Sequence, residues 1–197
     1  MNTKDKILNE ALKMFSDLGY KSVSIRDIAK KVDIKESSIY YHFKNKQDIL
    51  DSLLKLYEGH IANLGRVLQE VAKDISPKAD INVENVNNYF FEHYFFNPFC
   101  NQMMRFIMIE QFHDDKMAKL YHYYLFELPY KYQMDFMSML GDLGVVPQEK
   151  VRQMCNAYYS AITMLSFKYL LNGDLTEEKK TAFINEASEY MKNIFAG

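Results

Sequence analysis

The chain has no tryptophan, and only two cysteines, four prolines and seven glycines in 197 residues. So little Gly and Pro cannot turn an all-β chain every ten residues, which leaves a mostly helical fold. Cys100 and Cys155 stand at no metal-ligand spacing and fit a reducing compartment. No run of 18 apolar residues is present, which excludes a helix that spans a membrane. The polar start, Met1 to Lys6, leads straight into an amphipathic pattern, unlike a secretory signal. A cytoplasmic protein without membrane contact is expected. Signatures of catalysis are missing as well: there is no Gly-rich phosphate loop, no HExxH, no telling Cys/His spacing and no serine elbow. The sequence therefore predicts a protein that is not an enzyme and needs no cofactor.

What is present is large, soft side chains: 14 Phe, 15 Tyr and 12 Met. The net charge of −2 hides an asymmetry. Residues 1–46 carry ten Lys/Arg against six Asp/Glu, whereas the remaining 151 carry 14 against 20. A basic head on an acidic body concentrates its attraction for polyanions at one end. Chance asymmetry on solvated helices is the alternative.

In the head, Ile7, Leu8, Ala11, Leu12, Phe15 and Leu18 recur at helical spacing, predicting an amphipathic helix over about 4–18 that ends at Gly19. Ser24, with Asp27 three residues on, resembles a shortened capping box and opens a helix of about two turns with Ile28, Ala29 and Val32 inward. After the break Asp33-Ile34-Lys35-Glu36, Ile39 and Phe43 stand at i and i+4 and must face inward. Ser37, Ser38, Tyr40, Tyr41 and His42 then fall mainly outside. Aromatic side chains left exposed between basic residues suit a short helix that enters the major groove, where hydroxyl and imidazole groups meet base edges and phosphates. Asn45 caps a long fourth helix with Lys46 in its first turn, and a helix N-terminus plus an ammonium makes a phosphate site. A helical mini-core with surface tyrosines is the bland alternative.

The segment Ser24-Ile25-Arg26-Asp27-Ile28-Ala29-Lys30-Lys31-Val32, followed by Ser38-Ile39-Tyr40-Tyr41-His42-Phe43-Lys44-Asn45-Lys46 and Ile49-Leu50, resembles the TetR family of bacterial regulators over residues 4–55. The resemblance implies a recognition helix over 37–43. Tyr40 would touch phosphate, Ser37, Tyr41 and His42 would lie near base edges or sugar, Lys46 would hold phosphate, and Arg26 would approach the DNA backbone. Two positions depart from the family pattern: Asp33 stands where Gly is usual in the turn, and Lys35 where a small hydroxyl usually precedes the recognition helix. Asp tolerates the left-handed conformation better than most residues.

Beyond the head the periodicity predicts helices over 45–72, 83–96, 101–112, 116–140, 148–171 and from 176, with Gly59 and Gly65 as possible breaks and a polar connection over 74–80. Of 29 aromatic residues, 15 lie between 86 and 132. Met and aromatic walls adapt to apolar ligands while Tyr hydroxyls supply fixed polar contacts; plain core packing is the alternative for any one residue. The family places its effector pocket here, and Tyr89, Phe90, His93, Tyr94, Met103, Phe106, Glu110, Tyr121 and Tyr124 are the candidates. Arg105 and Glu110 interrupt the apolar 103–112 stretch, each as a polar anchor for a ligand or as a solvent-facing residue at the helix edge, and Glu110 is the better candidate for a cationic partner. His93, His113 and His122 form no closed ligand set, so no metal is expected. Two amphipathic C-terminal helices suit a four-helix dimer interface, as the resemblance also implies, with Met154, Tyr158, Ala161, Leu165, Phe183, Ala187 and Tyr190 as candidates. Packing within one chain is the other use for that face.

The expectation is an all-α protein with a helix-turn-helix DNA-binding domain over 1–46 and a helical ligand-binding and dimerisation domain over 47–197. It would act as a homodimer on a palindromic double-stranded DNA operator, as a repressor released by a largely apolar small-molecule effector. An apolar-ligand carrier with a non-functional head, or a constitutive architectural DNA-binding protein, are the competing functions.

Overall fold

The computed structural model describes residues 2–73 and 83–195; the polar connection expected over 74–80 lies outside the described residues. Among the described residues the regular structure is helical, with no strand. The chain divides into two compact units: a head of residues 1–61 with 102–122, and a body of residues 62–101 with 123–197. Besides residues 1–46, the head takes residues 47–61 and 102–122, whereas the body lies wholly beyond residue 61.

The head begins with α1 (Thr3–Leu18), where Asn2 accepts a hydrogen bond from the Asp5 N–H at 2.9 Å. Ile7, Leu8, Ala11, Leu12 and Phe15 are buried along one face. Gly19 ends the helix at φ 78°, ψ 155°, a positive φ outside the ordinary left-handed helical well. In α2 (Ile25–Val32), Ser24 and Asp27 form the reciprocal capping box. Asp33 then adopts the left-handed conformation at φ 58°, ψ 52°, which the tight turn requires. α3 (Glu36–His42) starts one residue before the expected 37, and Lys35 makes no side-chain cap bond. α4 (Lys46–Lys73) is capped by Asn45, whose Oδ1 accepts from the Asp48 N–H at 2.9 Å. It runs unbroken through Gly59 and Gly65. A side chain at Gly65 would collide with the Tyr132 ring, so this glycine marks a close approach rather than a break.

The single helix expected over 83–96 is α5 (Val83–Phe90) followed by a π-helical turn over Phe91–Phe95. Pro98 does more than end it: it opens α6 (Pro98–Glu110), a position where its missing N–H costs nothing. The helix expected over 116–140 is likewise divided into α7 (Asp115–His122), a π turn over Tyr123–Glu127, and α8 (Leu128–Asp142) with Pro129 in its first turn. α9 (Val151–Leu165) follows a short 3-10 turn and ends in a third π turn over Ser166–Leu170. α10 (Glu177–Phe195) closes the chain.

The body packs α8 and α10 against α9. Phe183 on α10 is fully buried, with the rings of Phe91, Phe95 and Phe96 at 5.0, 5.7 and 5.7 Å. A π turn displaces carbonyls from the regular helical ladder, and buried carbonyls need donors. Three side chains supply them: Tyr94 Oη donates to the Tyr124 carbonyl at 2.9 Å, Tyr159 Oη to Leu125 at 2.6 Å, and Asn101 Nδ2 to Leu170 at 2.9 Å. A second buried link runs from Tyr158 Oη to Asn87 Oδ1 at 2.8 Å, and from Asn87 Nδ2 to Met191 Sδ at 2.7 Å.

Candidate nucleic-acid interface

α3 is seven residues long and only Ile39 along it is buried; Phe43, directly after it, is 2% exposed. These two anchors fix its rotation, and the remaining side chains have nowhere to go but outward. Tyr41 is 86% exposed and Tyr40 54%. Ser37 is exposed, while Ser38 and His42 are half-buried. The Tyr41 and His42 rings meet edge to face at 5.1 Å. Large rings left mostly in water are the costly feature of this surface.

Arg26 lies on the outer side of α2 with its side chain 85% exposed, its Nε 4.0 Å from Glu36. Such a surface pair is worth little and leaves the guanidinium available to a phosphate. Around the start of α4, the Lys44 N–H donates to Asp48 at 2.8 Å, so the linker from α3 is tied to the helix it enters.

Lys46, expected to hold phosphate, has partners within the head. Its Nζ donates to the Tyr20 carbonyl at 2.8 Å and the Val23 carbonyl at 2.7 Å, and sits 4.2 Å from the centre of the Tyr20 ring. The ammonium is thereby engaged in fastening α4 to the turn between α1 and α2. Burial pulls its pKa down and the charge of Glu110 opposes that shift. Burial raises the Tyr20 phenol, with the charges of Asp51 and Glu110 adding to it.

Glu110 is also not a vacant anchor. Its carboxylate is 7% exposed and accepts the Tyr20 N–H at 2.8 Å. The nine effector candidates fall in different units: Tyr89, Phe90, His93, Tyr94 and Tyr124 in the body, Met103, Phe106, Glu110 and Tyr121 in the head. Phe106 is fully buried with its ring 5.8 Å from Phe15, and Met103 is fully buried too. In the body, Tyr94 and Tyr124 are joined through the hydroxyl-to-carbonyl bond described above. Tyr89 and His93 stack at 3.9 Å, and His93 Nδ1 donates to the Tyr89 carbonyl at 2.9 Å. The Phe90 ring lies 5.1 Å from that of Tyr94.

Among the dimerisation candidates, Met154, Tyr158, Leu165, Phe183 and Ala187 are buried within their own chain. A side chain already covered by its own fold has no surface to give a second copy, so these five are core. Ala161 is half-buried and Tyr190 is 37% exposed. Sequence reasoning did not single out the exposed Met164 and Phe167 beside them, nor a groove of about 620 Å³ lined by Tyr169, Ala182, Asn185, Glu186, Glu189, Tyr190 and Asn193. Nor did it find Tyr20, whose two peptide groups meet partners 26 and 90 residues away. No local periodicity carries such pairings. Cys100 and Cys155 are buried free thiols, pushed up to about 12 and about 11 by desolvation, which makes them unreactive.

A short exposed helix set across a tight turn from a capped, half-buried one, on an all-helical chain, defines a helix-turn-helix protein. Residues 7–53 match the model of bacterial regulatory proteins of the tetR family. IcaR of Staphylococcus aureus, the negative transcriptional regulator of the biofilm operon icaADBC, is 33% identical over 92 residues, 47% of this chain and 46% of IcaR. The chain thus spans about half the length of the curated relatives it matches. Two solved structures share the fold over nearly the whole chain. A Mesorhizobium loti chain assigned to the TetR-family regulators superposes with TM-score 0.70 at 13% identity, covering 98% of this chain and 95% of that one. A transcriptional regulator from Aquifex aeolicus gives 0.67 at 18% identity, covering 98% and 99%. The head is thus similar to the TetR family of bacterial regulatory proteins, and the fold as a whole to that of solved regulators.

Proposed function

We propose that the protein is a DNA-binding transcriptional regulator that reads a near-palindromic operator as a homodimer, acts as a repressor, and is released by a largely apolar small molecule. One observation carries the DNA reading: α3 presents Ser37, Tyr40, Tyr41 and His42 outward because Ile39 and Phe43 alone anchor it. Tyr40 and Arg26 meet phosphates, and Ser37, Ser38, Tyr41 and His42 face base edges and sugars. The repressor role is supported by the likeness to IcaR, a negative regulator. A target on bacterial DNA places the protein in the cytoplasm; among the described residues no helix is long and apolar enough to cross a membrane.

The dimer forms through the outer side of α9, the π turn after it and α10, where Met164, Phe167 and Tyr190 are exposed and Ala161 half-exposed. Two recognition helices then reach successive major grooves only if they stand about one helical turn, roughly 34–36 Å, apart. Ligand response is assigned to the body's share of the candidates, Tyr89, Phe90, His93, Tyr94 and Tyr124. A ligand shifts the equilibrium only by binding the DNA-free conformation better.

The test is selection of genomic DNA fragments by the purified protein at moderate salt, followed by sequencing. Enrichment of one or a few near-palindromic sites is expected. A blank result, repeated after the protein has been unfolded and refolded to strip any bound ligand, overturns the reading in favour of a ligand carrier. Enrichment without sequence preference favours an architectural protein.

A further inference from the structure

The Glu110 carboxylate lies at the last residue of α6, almost wholly removed from water, and its bond to the Tyr20 N–H joins residues 90 apart in sequence. A charged acceptor makes this the stronger kind of amide hydrogen bond. The turn that receives it is shaped around it. Gly19 holds φ 78°, and a Cβ built there would stand 3.1 Å from Glu110 Oε1, so the glycine serves both the backbone angle and the carboxylate's room. The carbonyl of the same Tyr20 accepts from Lys46 Nζ at 2.8 Å. One residue is therefore gripped from both sides, at its amide by α6 and at its carbonyl by the first residue of α4. Arg105 with Asp17 at 3.3 Å and Phe106 against Phe15 at 5.8 Å link α6 to α1 in the same unit.

We infer that Glu110 is a positioning residue for DNA reading: through the Tyr20 peptide it fixes the α1–α2 turn and the start of α4, the two supports between which α2 and α3 are held. This rests on the head being the DNA-reading unit. It also reassigns Glu110, which acts on the protein's own backbone and not on a cationic ligand.

The experiment compares full-length wild type, Glu110→Gln and Glu110→Met in two measurements: amide hydrogen exchange at Tyr20, and affinity for the selected operator against random duplex DNA at one fixed salt concentration. Gln keeps an acceptor oxygen at the same reach. Met fills the same space without one, which protects the fold. The expected result is Tyr20 exchange accelerated about tenfold or more in the Met variant, the order set by one hydrogen bond to a charged group. Operator affinity should fall by a similar factor with binding to random DNA unchanged, and the Gln variant should recover most of both losses. A Met variant with fast Tyr20 exchange and wild-type operator preference overturns the inference, as does a Gln variant no better than Met. Slow Tyr20 exchange in the Met variant overturns the bond itself, whatever the protein binds. Wild type that prefers no operator sinks the DNA reading, a result distinguishable from these because it requires no variant.

Discussion

Tyr41 in the head and Phe183 in the body are both large rings on helices, yet one is 86% exposed and the other fully buried. In the head, α1, α2 and α4 open on side-chain caps at Asn2, Ser24 and Asn45. The body carries two long amphipathic faces and three π turns, and carbonyls of the second and third turns are met by Tyr94, Tyr159 and Asn101. Aromatic content alone thus says nothing about use. A ring on a seven-residue helix with two anchors is displayed; a ring among apolar residues at nearly every position is core. The difference should separate binding from stability, and Phe183→Ala and Tyr41→Ala should each move one and spare the other.

Phe183→Ala is expected to have the largest effect, about 3–5 kcal/mol of lost stability from the removed ring and the cavity left among Phe91, Phe95 and Phe96. Urea denaturation measures it. Operator affinity of the protein that stays folded should hold, and a specific loss of affinity at unchanged stability would break the division of labour. Tyr41→Ala should do the reverse. Its ring touches only His42 among the ring contacts of α3, so stability stays within about 0.5 kcal/mol of wild type. Preference among operator variants should drop by about 1–3 kcal/mol, read from competition binding. Unaltered preference would move base readout elsewhere on the head.

Lys46→Ala sharpens the comparison because the residue belongs to both roles on paper. Two carbonyls lose a cationic donor, so the head should be destabilised by about 1–2 kcal/mol, discounted for the half-buried position of the ammonium. Salt dependence of DNA binding should flatten by less than the one unit expected of a direct phosphate contact. A full unit lost with stability unchanged would restore the phosphate clamp.

These cases also show what the sequence could tell. α1 to α3 were legible because each obeys a local rule: apolar spacing, a capping box at Ser24 and Asp27, and a left-handed residue at Asp33. Displayed residues on α3 followed from two anchors. The body was legible as helices but not as helix ends, since a π turn changes the hydrogen-bond pattern without changing composition, and Pro98 and Pro129 start helices where a proline can also stop them. Buried and interfacial residues of α9 and α10 obey the same periodicity, so five core residues could not be told from a dimer face. Lys46 reads from sequence as a phosphate contact and Glu110 as a ligand anchor, because the Tyr20 backbone that both engage is distant in sequence and carries no side-chain signature.

Ser24→Ala is the smallest of the four effects and the one with a pH signature. Loss of the cap on α2 should cost about 1 kcal/mol near neutral pH. The hydrogen bonds that Ser24 donates from its hydroxyl and its backbone N–H hold the Asp27 carboxyl below its usual pKa. A carboxyl whose folded pKa is depressed contributes stability above its unfolded pKa, and that contribution disappears as the pH falls through the lower, folded value. Wild type and Ser24→Ala should therefore differ by a constant amount from pH 7 to about 5, and the gap should narrow as the pH falls below about 4 and through the depressed folded value of Asp27. Melting temperatures followed across that range decide the matter. A gap that persists undiminished at pH 2 would mean that the Ser24 hydroxyl acts only on the Asp27 N–H, which it accepts at 3.1 Å, and that the carboxylate half of the box adds nothing to the head.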